Sequence, residues 1–207
     1  MSEHYFSAQP SGPLTVRPLT VTLADRTVTV STAGGVFSPD AVDKGTAVLL
    51  RHAPEPPATG RFLDLGCGWG PMALTLALRS PEADVVAVDV NARALELVRR
   101  NATALGLDRI LAAEPDEVPA EQTYDLIWSN PPIRVGKAVL HDLLTTWLPR
   151  LAPGGTALLV VQKNLGADSL QRWITDSLAE QHGDGTFTVD RATTDKGFRL
   201  LRVVRAR

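Results

Sequence analysis

From residue 61 onward the chain alternates between short unbroken apolar runs and longer stretches whose apolar residues return every three or four positions. Unbroken runs suit parallel strands covered on both faces, and the three-to-four spacing suits helices with one buried stripe. The pattern predicts strands over 62–65, 85–88, 110–113, 124–129 and 156–162. It predicts helices over 71–79, 92–105, 137–151 and 168–179, with Gly106 ending the second of them. Two further strands, 186–192 and 198–204, face each other across the turn Asp195-Lys196-Gly197. Strand–helix alternation of this kind implies an α/β fold, with a doubly wound, mostly parallel seven-stranded sheet that ends in an antiparallel strand pair.

Ahead of this array the period changes to two. Residues 19–23 and 27–30 alternate around Ala24-Asp25-Arg26 and predict a short N-terminal β-hairpin, which Gly34-Gly35 closes. Ser38 or Asp40 is expected to cap a helix reaching Arg51, with Pro39 in its first turn. The Pro-rich stretch 52–60 reads as a connection, because too little chain precedes it for a core of its own. The expected division is thus a hairpin extension over 1–35 and one larger domain over 36–207.

Two stretches carry chemistry. Asp64-Leu65-Gly66-Cys67-Gly68-Trp69-Gly70-Pro71 joins the first strand of the array to its helix, and its glycines permit positive φ and close approach of backbone to a ligand. The helix N-terminus behind them is expected to favour an anionic group. A dinucleotide fingerprint needs a glycine at position 71, where this chain has Pro71. Asp89 closes the next strand, about twenty residues on, where a carboxylate can accept the hydroxyls of an adenosine ribose; its bland role would be a helix cap. The second stretch is Asn130-Pro131-Pro132-Ile133 at the carboxyl end of strand 124–129, the end at which open α/β sheets bind ligands. Each proline fixes φ and lacks an N–H, so the Asn130 side-chain oxygen and the Pro131 carbonyl form a stiff pair of acceptors for a planar exocyclic amine.

Composition narrows the classes. The 207 residues are 44% hydrophobic and 21% charged, which describes a globular domain with a full core. The lone Cys67 excludes an internal disulfide, and with four scattered histidines no metal is expected. The opening residues hold no apolar run of signal-peptide type and no stretch is long enough to span a bilayer, so a cytoplasmic protein without membrane contact is expected. Net charge is −2, yet the tail from Lys196 to Arg207 carries five cations and no acid. Such a run could meet phosphates or simply solubilise an edge strand.

Taken together, the glycine loop, Asp89 and Asn130-Pro131-Pro132-Ile133 resemble the motifs of the class I S-adenosylmethionine-dependent methyltransferases. Within that class the chain is similar to the small-subunit ribosomal RNA guanine-N2 methyltransferase C family. G-V-F-S before the glycine loop, I-R-V-G-K after the two prolines, L-A-P-G-G-T-A-L-L-V-V and V-V-Q-K-N-L-G-A carry the likeness to its compact, single-domain members. The resemblance implies a Rossmann-like fold, S-adenosylmethionine as cofactor and RNA as partner. It implies cofactor contacts from Asp64, Gly66, Cys67, Gly68, Gly70, Asp89, Val90 and Asn130, with Glu114 preferred over Asp116 for the adenine amine. Asn130, Pro131 and Pro132 would form the amine site. Many relatives stack the target base on an aromatic residue where this chain has Ile133, which leaves Phe37 or Phe198 for stacking and Arg134, Lys137 and Lys163 for phosphates. Other readings of the same residues are a protein glutamine N5-methyltransferase, an adenine N6-methyltransferase of DNA or RNA and, more remotely, a nucleotide-binding oxidoreductase.

Overall fold

The computed structural model describes residues 13–207, so the first part of the predicted extension lies outside the described residues. The described chain holds a two-stranded hairpin and a seven-stranded sheet of order β5-β4-β3-β6-β7-β9-β8. It divides into two compact units, one of residues 13–43 with 55–120 and one of residues 44–54 with 121–207.

In the first unit β1 (Val16–Leu23) and β2 (Arg26–Ala33) pair antiparallel through Ala24 and Asp25, both with positive φ. That is the twist a two-residue hairpin turn needs. β3 (Arg61–Leu65), β4 (Asp84–Val88) and β5 (Ile110–Ala113) run parallel, and Phe62–Leu65 and Val85–Val88 are buried without a break. α2 is Pro71–Arg79, but α1 belongs to the other unit, and α3 (Ala92–Leu105) buries Ala94, Leu95, Leu97, Val98, Asn101 and Ala102. Asn91 caps α3 by accepting from the Arg93 and Ala94 N–H groups, and Gly106 closes it in the left-handed region.

The buried Asn101 amide ties three segments together. Its oxygen accepts from Ser31 N at 2.6 Å, and its nitrogen donates to the carbonyls of Ser31 and Trp69, each at 3.1 Å. The hairpin, α3 and the glycine loop are therefore held through one side chain. At the other end of the loop, Asp64 Oδ2 accepts from the Ala73 N–H at 2.8 Å and so caps the first turn of α2 from β3. Burial, with the charge of Asp89 adding to it, pushes the Asp64 carboxyl up to about 7 despite that bond.

The second unit contains α1 (Lys44–His52), β6 (Tyr124–Ser129), α4 (Lys137–Trp147), β7 (Leu151–Gln162), α5 (Ala167–His182), β8 (Phe187–Asp195) and β9 (Phe198–Arg205). β6 and β7 are parallel, while β9 is antiparallel to both β7 and β8. Two expectations fail here. The first helix starts at Lys44, not at Ser38 or Asp40: Ser38 has φ +46 and its hydroxyl donates to Ala41 O, while Asp40 pairs with Arg17. The helix begins where Gly45, Thr46, Val48 and Leu49 can be buried together. The helix expected over 137–151 stops at Trp147, and after a 3-10 turn Leu151 already pairs with Tyr124 as the first residue of β7. Pro153-Gly154-Gly155, expected to precede that strand, forms an irregularity within it. A Cβ on Gly155 would lie 2.8 Å from Ala152 O and 2.9 Å from Tyr124 O, so only glycine passes there.

Asn101→Ala should lower stability by about 1–3 kcal/mol in urea denaturation, since it strands buried backbone groups of Ser31 and Trp69. Asp64→Asn should instead change the pH dependence. A carboxyl raised from 3.8 to about 7 on folding binds more protons folded than unfolded across that window, so its contribution is complete below the lower value and is lost as pH rises through the upper one. An amide can still accept from Ala73 but cannot titrate. Wild-type stability relative to the Asn variant should therefore fall from about pH 4 to pH 7, and a constant difference in urea midpoints would show that folding does not raise the Asp64 carboxyl.

Candidate active site

The glycine loop satisfies most of its own backbone. Gly66 N and Cys67 N both donate to Val88 O, Gly70 N donates to Cys67 O, and Gly68 N donates to Asp89 Oδ2 at 2.9 Å. Gly66, Gly68 and Gly70 have φ of +78, +54 and +96, respectively. The three glycines differ in purpose. At Gly66 a Cβ would project into open space, leaving a cradle where a ligand can approach the backbone, whereas at Gly70 it would meet Val98 Cγ2 at 3.1 Å and separate α2 from α3.

Asp89 is not the cap of α3, because Asn91 takes that role. Its Oδ1 accepts from Asn91 N at 2.9 Å while its Oδ2 holds Gly68, so the carboxylate fixes the loop to the end of β4. Asn91, Gly68 and Val90 thus bring three backbone N–H groups to a carboxylate with about four acceptor positions, which leaves one for a hydroxyl. Burial raises the Asp89 carboxyl, and the bonds from Asn91 and Gly68 oppose the rise. Cys67 is buried and its thiol is pushed well up, first by burial and then by the charges of Asp89 and Asp64. It is a neutral side chain facing the core, and its backbone is what belongs to the loop. Asp64 likewise acts on α2 directly, and this corrects the expectation that the N-terminus of α2 would hold an anionic ligand: the Asp64 carboxylate already occupies it.

Around this loop lie other predicted residues. Val90, directly after Asp89, is 46% exposed, and Phe37 is 38% exposed with its carbonyl 4.0 Å from where a Gly68 Cβ would sit. The neighbouring Ser38 O accepts from the buried Trp69 Nε1 at 3.1 Å, which anchors the Phe37 segment to the loop. Glu114 follows β5 as Asp89 follows β4, since Val88 pairs with Ala113. Its side chain accepts from Glu117 N and its own N–H donates to Glu117 Oε2 at 2.7 Å, so Pro115 begins a reciprocally capped 3-10 turn and leaves Glu114 at the strand end. Asp116 sits within that turn.

In the second unit Asn130 leaves β6 with its amide held. Nδ2 donates to the hydroxyl of Thr46, a buried residue in the first turn of α1, at 3.2 Å. Pro131 O accepts from Ile133 N and Pro132 O from Val135 N, which folds the chain after the prolines into one 3-10 turn. One lone pair of the Pro131 carbonyl remains for another donor. Ile133 is half-buried in that turn, Arg134 and Lys137 are exposed, and Lys137 opens α4. Lys163 is exposed after β7; its N–H donates to Gly197 O, beside the half-buried Phe198 that pairs with Gln162. Thr46 was not legible as a site residue; its only signal was a polar side chain on the apolar face of a helix. Among the described residues no helix is long and apolar enough to cross a membrane, and no group of three or more His, Cys, Asp or Glu is placed to hold a metal ion.

Comparison with known proteins gives the chain a family. A family model for the methyltransferase small domain matches residues 27–199. YbxB of Bacillus subtilis, described only as uncharacterized, is 37% identical over 172 residues, 82% of this chain and 86% of that protein. Ribosomal RNA small subunit methyltransferase C of Stutzerimonas stutzeri is 32% identical over 204 residues, 96% of this chain and 57% of its own length. Among solved structures, the T. thermophilus 16S rRNA guanine-N2 methyltransferase, in complex with AdoMet and guanosine, aligns with a TM-score of 0.73 and 25% identity. That alignment covers 95% of this chain and 52% of the other, so the chain spans little more than half the length of these two larger relatives. With a matching model across most of its length and a relative covered almost end to end, the chain belongs to the methyltransferase small domain family.

Proposed function

We propose that this chain transfers the methyl group of S-adenosylmethionine to an exocyclic amine, with N2 of a guanine in small-subunit ribosomal RNA as the acceptor. The observation that carries the amine reading is the rigid acceptor pair at the end of β6, the Asn130 amide and the Pro131 carbonyl. The choice of guanine in small-subunit RNA rests on the likeness to methyltransferase C and to the guanine-N2 enzyme. In this reading residues 36–207 form the catalytic domain and residues 1–35 its extension.

The first unit fits the cofactor. Gly66 leaves a cradle against bare backbone, Asp89 keeps an acceptor position for a ribose hydroxyl, and Val90 exposes an apolar side chain beside it. Two neighbouring acids also suit a ligand bearing positive charge better than a pyrophosphate. Bound there, S-adenosylmethionine supplies an electrophilic methyl group that needs no further activation. What remains for the protein is alignment and exclusion of water. Asn130 Oδ1 and Pro131 O accept the two amine hydrogens, draw the nitrogen lone pair out of conjugation with the ring and stabilise the charge that develops on nitrogen. No side chain has to act as a base before the methyl transfers; afterwards the methylated nitrogen, cationic once its lone pair is bonded, returns to neutral by giving one proton to water. A base stacked in a helix cannot present its amine this way, so the target is unpaired or flipped, with Phe37 or Phe198 to stack on it. Exposed Arg134, Lys137 and Lys163 meet the phosphates in this proposal.

Asp89→Ala should weaken S-adenosylmethionine binding by about 1–3 kcal/mol in calorimetric titration, through a lost ribose acceptor and a loosened Gly68. Wild-type affinity in that variant would remove Asp89 from the site. Asn130→Ala should leave cofactor affinity near wild type while turnover falls by roughly two to three orders of magnitude, as when a preorganised contact to developing charge is lost. The reading as a whole is tested by incubating ribosomal RNA with enzyme and labelled cofactor, then identifying the labelled nucleoside by mass spectrometry. N2-methylguanosine is expected. Label in methyladenosine or methylcytidine would reassign the base, and label confined to a protein glutamine would overturn the RNA reading.

A further inference from the structure

We propose that Thr46 is the positioning residue of the amine site: its buried hydroxyl oxygen takes the Asn130 Nδ2 hydrogen and thereby fixes the amide with Oδ1 turned toward the acceptor amine. This rests on the reading of Asn130 as an amine acceptor, and it addresses a problem which that reading leaves open. A primary amide is nearly symmetric in shape, but its two ends are opposite in function, one accepting and the other donating. Turned by half a revolution, Asn130 would present N–H groups to an amine and repel it. β6 and the two prolines hold the Asn130 backbone, yet the terminal torsion of asparagine is broad and roughly two-fold. The backbone therefore does not choose between the two orientations; a partner for one end has to.

Thr46 has the properties such a partner needs. Its oxygen lies 3.2 Å from Nδ2. It is 3% exposed, so water does not compete for the bond, and as a β-branched residue in a helix it has few rotamers. A hydroxyl both donates and accepts, so the choice of amide end is made by a Thr46 hydrogen committed to another acceptor, which leaves the oxygen to accept from Asn130 Nδ2 as the structure shows. The helix that carries it is itself pinned. Val48 and Leu49 are buried, and in the last turn Arg51 and His52 each reach Asp195 Oδ2 at 3.0 Å. The anchor is thus a fixed point on a held helix. An alanine or valine at position 46 would fill the space without saying which way the amide faces.

The test compares Thr46→Val, which keeps the branched shape and removes the acceptor, with Thr46→Ser, which keeps the acceptor. Thr46→Ala serves as a second acceptor-free variant should Val disturb folding. Two readouts are used. The nitrogen–proton NMR signals of the Asn130 side-chain amide report the bond without any substrate: Val or Ala should shift them and speed their exchange with solvent, and Ser should not. Methyl transfer from labelled S-adenosylmethionine to small-subunit ribosomal RNA should lose roughly tenfold to hundredfold in kcat in the acceptor-free variants, the scale of a misplaced reacting group, with the cofactor KM unchanged and Ser near wild type. In an Asn130→Ala background the substitution at 46 should have no further effect on kcat, because the proposed effect runs through that amide. Unchanged amide signals with wild-type kcat in Thr46→Val would overturn this proposal alone. An equal loss in the Asn130→Ala background would also overturn it, since Thr46 would then act through folding. Full turnover in Asn130→Ala itself would overturn the amine-site reading, and the proposal with it.

Discussion

The site depends on buried carboxylates bonded to backbone N–H groups. Asp64 holds Ala73, Asp89 holds Gly68 and Asn91, and the loop between them takes up conformations that glycine alone adopts without strain. The cost is visible in the acids themselves, both raised by burial. The arrangement also selects a class of ligand. In a dinucleotide site the positive end of the helix after the glycine loop faces a pyrophosphate. Here that end is capped from inside by Asp64, Pro71 offers no N–H, and a second acid stands nearby. An anionic ligand would meet the Asp89 carboxyl and few donors. A nucleoside carrying positive charge meets an acceptor for a hydroxyl and a favourable field, which is why the oxidoreductase reading loses its footing at the level of hydrogen bonds.

Charge on the tail has a different destination from the one its sequence suggests. Of the five cations after Asp195, Arg199 is buried and pairs with Asp168 at the start of α5, and Arg202 grips Asp190 across the β8–β9 ladder. Arg205 donates to the carbonyls of Pro149 and Leu151. These residues bind strand β9 to its surroundings. Lys196 and Arg207 of the same tail stay exposed, as do Arg134, Lys137 and Lys163, which lie next to the turn after the two prolines or at the end of β7. A run of like charges in a sequence says nothing about which acids the fold will bring beside it, and here the acids come from α5 and β8.

The same distinction explains what was legible in the chain. α2, α3, β5 and β6 are found at their observed bounds because each carries its own stop signals: Gly70-Pro71, the Asn91 cap, Gly106 and the two prolines after Asn130. The start of α1 and the first residues of β7 were misplaced, and both are decided at long range. Ser38 and Asp40 have the composition of a cap, but Asp40 is drawn to Arg17. Pro153-Gly154-Gly155 has the composition of a loop, but it is carried inside a strand because Leu151 is buried beside Tyr124. Spacing marked the glycine loop, Asp89 and Asn130 as candidates. It could not reveal that Asp64 works on α2, or that a threonine eighty-four residues before Asn130 would reach it.

Three asparagines show why neutral amides stand where acids might be expected. Asn91 and Asn101 lie in the unit that already holds Asp64 and Asp89, where each further buried carboxylate would raise the others and leave a charge without a counterion. An amide gives the same acceptor without the charge, and its nitrogen adds a donor: Asn91 reaches Gly35 O and Asn101 reaches Ser31 and Trp69. Asn130 uses the same two-ended character in another way. One end is given to Thr46, and the proposed chemistry asks only for the other. An aspartate at 130 could accept from an amine, but it has no hydrogen to give to Thr46. The threonine hydroxyl would have to donate instead, and one carboxylate oxygen would be drawn inward with nothing to distinguish it from its twin. A carboxylate would also bind a cationic product nitrogen more tightly than the neutral amine that precedes it. In the proposed chemistry an amide would support the charge as it forms and still let the methylated product leave.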